Sequence, residues 1–307
     1  MEIPGDLLKQ ASIIVCTVDR PTDLDRCVAS LVPFREAGAE IVVVNNGPRS
    51  ATVEEIAQGY GARATTEPRR GLCHARNAGI RFTTGTILAF IDDDAQADPA
   101  WIPLLLAPFA DPRVLAVVGS VWAQTVADPV SQVFDRIYLA RMPKSQLLLE
   151  APGEMHALPL RLAMQGTGSS MAIRREVFDR FGYFDTRFGR GTRIGSGEEA
   201  DLLLALLLGG GKIVVEPAAR IFHRHPTAPG AVRRWAFQSG CAHTAILTKY
   251  FLQEPSLRGQ VLRYAASRLR RRTTPEASAA ANFKVPRMPL LLGSLYGPIA
   301  FLLSGKG

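Results

Sequence analysis

Residues 87–102 read ILAFIDDDAQADPAWI. An unbroken apolar run of strand length leads directly into Asp92, Asp93 and Asp94. Adjacent like charges repel, so a buried strand ending in three carboxylates loses stability unless something neutralises them. A divalent cation is one such counter-charge. Mg²⁺ and Mn²⁺ take oxygen ligands, usually one or two carboxylates together with substrate phosphates. A strand end is also a rigid perch for ligands. The competing reading is a solvated acidic turn, because ADPAW can open a helix. The position after a buried strand favours the cation.

Two earlier bursts share the pattern: ASIIVCTV (11–18) and EIVVVNN (40–46). Near-continuous Val/Ile runs suit parallel strands covered on both faces. Helical patterns lie between them. One spans 22–37, with Thr22 as its cap and Leu24, Cys27, Val28 and Leu31 as its apolar stripe; others span 51–60 and 72–82. This alternation predicts an α/β fold built on a doubly wound, mostly parallel sheet flanked by helices. Ligands of such sheets bind at the carboxyl ends of the strands. That rule singles out Thr17, Asp19, Asn45, Asn46 and the three aspartates. Further strands are expected at 114–121 and 212–216. A leucine-dense helix at 198–208, apolar all round, should be buried.

The chain has 307 residues, 47% apolar and 21% charged, enough for one large domain or a domain with an appendage. Its net charge of +8 favours anionic partners. Nucleic acid is disfavoured, because no aromatic–basic interleaving or recognition-helix pattern accompanies the charge. The cysteines form no Cys-x-x-Cys pair, which suits a reducing, cytoplasmic setting. The first residues, MEIPGDLLKQ, lack the basic start of a secretory signal. Composition shifts after residue 226, which suggests a main domain over 1–226 and a helical extension over 227–307. That extension holds the basic RYAASRLRRR (263–272) and the uncharged MPLLLGSLYGPIAFLLSG (288–305). The uncharged piece is short of the roughly 20 residues a spanning helix needs. A re-entrant or interfacial hairpin at the inner face of a membrane is expected, with a C-terminal helix packed on the domain as the plainer alternative. Basic side chains beside apolar ones suit an anionic membrane surface.

Three other clusters could carry chemistry. In GSGEEADLLLALLLGGGK (195–212), Glu198, Glu199 and Asp201 crowd the first turn of a helix. Ser196 with Glu199 reads as a capping box, and first-turn acids complement the helix dipole. A carboxylate there could equally serve as a general base; both readings stay open. In RIFHRHP (220–226), His223 and His225 share one side of an extended segment, as metal ligands or as parts of a solvated loop. In EPRRGLCHARNAGI (67–80), Arg69, Arg70 and Arg76 sit near a helix start, where arginine suits phosphate, or else form an exposed basic face.

Taken in order, IIVCTVDRP, VVVVNNG, RRGLCHARNAGI, ILAFIDDDA, GTGSSMAIRREVFDRFGYFDTRFG, GSGEEADLLLALLLGGGKIVVEP and IFHRHP resemble a bacterial family 2 glycosyltransferase over roughly residues 11–226. The resemblance implies the Rossmann-like GT-A fold of nucleotide-diphospho-sugar transferases, inverting chemistry and a divalent cation, Mn²⁺ or Mg²⁺. It implies a nucleotide-diphosphate sugar as donor and a glycan or lipid-linked acceptor. Thr17 and Asp19 would approach base and ribose. Asn45 or Asn46 stands where the family often carries an aspartate, which leaves the base unassigned. Arg76 would reach the nucleotide. Asp92 and Asp94 are the outer members of the family's Asp-x-Asp, with Asp93 between them beside the donor. Asp94, Asp92 and His223 would hold the metal. Glu198 and Glu199 take the place of the family's Glu-Asp pair, so Glu199 or its neighbour would be the base. Gly166, Thr167, Gly168 and Asp201 would lie on the acceptor side. A nucleotidyltransferase would want a glycine-rich, lysine-bearing loop after the first strand, which CTVDRPTD lacks. A catalytically silent sugar-nucleotide binder would not need the acidic and histidine positions intact.

Overall fold

The protein is described by a computed structural model covering residues 5–126, 128–140, 142–150, 168–270 and 286–305. The chain begins with α1 (Gly5–Lys9), β1 (Ala11–Thr17), α2 (Pro21–Glu36), β2 (Glu40–Asn45), α3 (Ala51–Gly59), β3 (Arg63–Thr66), α4 (Leu72–Phe82) and β4 (Ile87–Asp92). It continues through β5 (Ala95–Ala97), α5 (Trp101–Leu106), β6 (Val114–Ala123), α6 (Pro129–Leu139), β7 (Leu147–Leu149), β8 (Ser170–Arg174) and α7 (Glu176–Phe181). Last come α8 (Glu198–Leu208), β9 (Lys212–His223), α9 (Ala231–Gln253), α10 (Arg258–Arg270) and α11 (Arg287–Leu303).

One sheet runs through the molecule in the order β3-β2-β1-β4-β8-β6-β9-β5, with β7 also paired to β9. The first four strands are parallel, as the apolar runs imply. The other half is mixed. β8 enters antiparallel between β4 and β6, β6 and β9 pair parallel, and β5 and β7 lie antiparallel to β9. Consecutive strand residues supply opposite cores. Ile14, Val42, Val44, Leu88 and Phe90 face one; Ile13, Val15, Ile41, Val43, Ala89 and Ile91 face the other. That alternation follows from the two-residue period of a strand, and it explains why the strands are apolar throughout. α4, α8, α9 and α11 contribute to the first core, and α2, α3 and α5 to the second.

The helices match the sequence pattern closely, and their ends differ in instructive ways. α2 starts at Pro21, not after a Thr22 cap, because proline's fixed φ suits the first helical position. α8 carries the expected buried leucines, but Ser196 does not cap it. Its N-cap is Gly197 at φ 93°, and a Cβ there would come within 2.8 Å of the Ala242 side chain. Glycine is required by both backbone and packing. The segment 288–305 is no hairpin. It forms one helix, α11, because Gly293 and Gly297 serve as contact points against α9, not as breaks. No helix among the described residues is long and apolar enough to cross a membrane.

Candidate active site

The carboxyl edge of the sheet gathers the acidic residues by register. Cys16 of β1 pairs with Asp92 of β4, and Thr17 pairs with Asn45 of β2. After Asp94 the chain turns into β5, where Ala95 pairs with His223 at the end of β9. The Arg224 amide donates to the Asp94 carbonyl at 3.0 Å. Two strands far apart in sequence are thus stitched together where their polar ends meet. His223 Nε2 lies 3.0 Å from Asp94 Oδ1 and 3.9 Å from Asp92 Oδ2. One donor atom from each of Asp92, Asp94 and His223 falls within 4.8 Å of the others. Two carboxylates and an imidazole converging this closely suit an Mn-class divalent cation.

The carboxylates already have partial counter-charges. Arg20, which the sequence reading did not single out, bridges Asp93 Oδ1 at 3.2 Å and Asp94 Oδ2 at 2.8 Å. The Ser169 hydroxyl donates to Asp92 at 2.6 Å, and the Arg76 guanidinium stands 3.6 Å from its other oxygen. Burial resists ionisation of Asp94, but the His223 hydrogen bond and the charges of His223 and Arg20 outweigh it and hold this carboxyl well below its usual range. Asp93 is different. It is buried and pushed up to about 6 by that burial, against a 2.7 Å hydrogen bond donated by Thr17. Its role in the geometry is to fasten β1 to β4.

Beside the cluster lies a cavity of about 390 Å³. Asp92, His223, Arg76, Gly168 and Glu198–Ala200 line it, with Phe134 and Tyr138 from α6 and Arg234, Trp235 and Gln238 from α9. Glu199 is partly exposed there. Burial first, then the neighbouring Glu198 charge, push its carboxyl up to about 8, with Arg76 pulling the other way. Glu198 is tied to Arg76, which is itself buried and donates to Glu198 Oε1 at 2.8 Å and to the Gly168 carbonyl at 2.9 Å. Arg190 also lines the cavity. Burial works against its charge, and Asp92 and Asp94 outweigh that effect. Arg190, Trp235 and Gln238 carried no local sequence signal, since their places follow only from the fold.

The other expected residues lie in different surroundings. Asp19, at φ 52° after β1, is exposed and meets Arg70 at 3.2 Å. Thr17, Asn45 and Asn46 are buried. Asn46 donates to the Glu67 and Arg69 carbonyls and accepts from the Gly71 amide, which pins the loop before α4, and Asn45 donates to the Pro48 carbonyl. Asp201 does not face the cavity; its carboxylate takes Lys249 of α9 at 2.6 Å. Gly166 and Thr167 lie outside the described residues. His225 stacks on Tyr138 at 5.2 Å and packs against His223.

The curled α/β sheet thus carries a carboxylate–histidine cluster at its carboxyl edge and a cavity beside it. The sequence model of glycosyl transferase family 2 matches residues 12–182, more than half of the chain, and the protein belongs to that family. It is 24% identical over 225 residues to a glucosyl-dolichyl phosphate glucuronosyltransferase of Haloferax volcanii, covering 70% of this chain and 69% of that protein. It is 27% identical over 248 residues to the pre-mycofactocin glycosyltransferase of Mycobacterium tuberculosis, covering 78% of this chain but only 48% of that protein, about half its length. Among solved structures, TarS 1–349 of S. aureus aligns with a TM-score of 0.58 at 16% identity, over 96% of this chain and 80% of that one. Glucosyl-3-phosphoglycerate synthase from Mycobacterium tuberculosis, in complex with Mg²⁺ and uridine diphosphate, aligns at 0.53 and 19% identity, over 80% and 82%. These structural likenesses establish the GT-A fold.

Proposed function

We propose that the protein moves a sugar from a nucleotide-diphosphate sugar to a hydroxyl acceptor with inversion at the anomeric carbon. The observation that carries this reading is the position of Glu199, partly exposed in the cavity that Asp92 and His223 also line. A cation held by Asp92, Asp94 and His223, Mn²⁺ or Mg²⁺, would supply charge neutralisation for a departing diphosphate. Relatives of the same fold support that choice: one was solved with UDP and Mg²⁺, and GalNAc-T7 with UDP, GalNAc and Mn²⁺.

Glu199 is the base. Its carboxylate accepts the proton of the acceptor hydroxyl while that oxygen forms a bond to the anomeric carbon. The bond from that carbon to the diphosphate breaks, and the electron pair leaves with the diphosphate. Glu198 is held by Arg76, so it positions the helix start instead of reaching the acceptor. Trp235, Tyr138 and Gln238 form the acceptor wall, whose aromatic faces suit a glycan ring. The name of the Haloferax relative puts a lipid-linked acceptor beside a cell-surface glycan as the candidate classes. Asp19 and Arg70 are the accessible polar groups on the nucleotide side.

The test is a thermal-shift screen of nucleoside diphosphates with and without Mn²⁺, followed by turnover of the matching donor. Glu199→Gln should keep the nucleotide-induced shift and lose turnover by about 10²–10⁴-fold. Full turnover by Glu199→Gln would return that residue to a purely structural role. A shift that ignores Mn²⁺ would remove the metal from the reading.

A further inference from the structure

α11 presents Met288, Leu292, Leu295, Ile299, Leu302 and Leu303 to solvent, each 51–66% exposed. At 3.6 residues per turn these six fall within an arc of about 100°. The opposite face is Gly293, Gly297, Ala300 and Phe301, all buried. It seats so closely on α9 that a Cβ at Gly293 would come 1.9 Å from the Phe237 carbonyl oxygen. α11 therefore cannot roll to hide its leucines without separating two touching backbones. No charged side chain occurs from 288 to 305. A patch of this kind marks a binding surface.

Charge decides what it binds. Residues 227–307 carry twelve Lys and Arg against two Asp and Glu, a balance of +10, which leaves residues 1–226 at −2 of the chain's +8. The whole positive excess lies in the segment that bears the apolar stripe. Arg287 opens α11, Lys306 follows the stripe, and on α10 the 58% exposed Leu262 stands beside exposed Arg263. A second copy docked on this face would bring two +10 segments together, whereas acidic lipid headgroups complement them.

We propose that α11 lies in the plane of an anionic membrane surface with its leucine stripe in the lipid and the neighbouring basic residues on the headgroups. The helix, 17 residues or about 26 Å long, rests on the membrane and does not cross it. The face is fixed to the acceptor wall, because α9 carries both the seat of α11 and the cavity residues Trp235 and Gln238.

The experiment is co-sedimentation of the full chain with vesicles of phosphatidylcholine alone or mixed with phosphatidylglycerol. Binding to the mixed vesicles should exceed binding to neutral ones by at least about tenfold at low salt and fall as salt rises. Leu295→Gln, Ile299→Gln and Leu302→Gln together should weaken it by at least about tenfold, because several buried apolar side chains are lost. Near-UV circular dichroism should stay unchanged, since all three positions are exposed. Arg263→Gln with Arg287→Gln should weaken binding to the mixed vesicles and leave the neutral ones unaffected. Equal binding to both vesicle types, or to neither, overturns the proposal. So does a lipid-free dimer that the triple leucine-stripe variant dissolves, which would assign the face to a second copy. None of these readouts depends on glycosyl transfer.

Discussion

Replacing Arg76 by methionine should damage the fold more than any loss of ligand contact would suggest. The guanidinium is 3% exposed and gives hydrogen bonds to Glu198 at 2.8 Å and to the Gly168 carbonyl at 2.9 Å. It also stands over the rings of Phe184 and Phe90, 5.6 and 5.9 Å from their centroids. Methionine fills much of the same space, so the damage is mainly electrostatic: Glu198 stays buried and loses its counter-ion. Breaking a buried pair from one side costs about 3–5 kcal/mol. For a chain of 307 residues that is a fall in Tm of about 5–8 °C. Adding Glu198→Gln removes the stranded charge and should restore about 1–3 kcal/mol of the loss, a coupling readable from a double-mutant cycle by thermal or urea unfolding. If Arg76→Met costs under about 1 kcal/mol, or the same amount in both backgrounds, Arg76 is not the counter-ion that holds the start of α8.

Glu199 should make both activity and stability depend on pH. Its carboxyl is raised to about 8 in the folded chain, so kcat/KM should climb between pH 6 and pH 8 as the base ionises. Over the same range the folded state holds a proton that the unfolded state has released, so this group's contribution to stability falls as pH rises from the ordinary Glu range towards 8. Glu199→Gln should accordingly melt higher than the parent at pH 8.5, with the gap closing near pH 4; a constant gap would contradict the raised value. Asp94→Asn should abolish the Tm increase given by Mn²⁺ with nucleoside diphosphate, whereas an unchanged increase would place the ion elsewhere. Gly293→Ala should lower Tm measurably despite its conservative chemistry, because the added carbon meets a backbone carbonyl and not a flexible side chain. Retention of full stability there would mean that α9 and α11 are less tightly seated.

The parallel half of the sheet was readable because each strand has to satisfy two cores at once, which leaves an unbroken Val/Ile run. β8 and β7 were not, because short strands such as SMAIR and LLL carry no period long enough to separate from a helix or loop. The strand expected at 212–216 covers less than half of β9, which runs on past Pro217 to His223 through an irregular register against β6. The acidic residues were legible one by one, since three aspartates after a strand demand an explanation. Their division of labour was not. Asp93 turning inward to Thr17, and Asp201 turning to Lys249, depend on which face of a strand or helix meets which neighbour. Asn46 shows the same limit. A polar residue at a strand end reads as a ligand group, and only its three backbone partners reveal that it shapes a loop.

The seating of α9 has an implication for how such a chain can be trimmed or recombined. Cys241, Ala242, Ala245, Ile246, Ala300 and Phe301 belong to the same core as Ile14 and Phe90, and Lys249 latches Asp185 and Asp201. A polypeptide stopped after the histidine strand would leave the leucine helix facing water and two carboxylates without their ammonium. α9 and α11 are therefore a wall of the house and not a porch. An exchange with another transferase's tail would succeed only where the incoming helix brings small residues, a lysine and a matching groove in the same register.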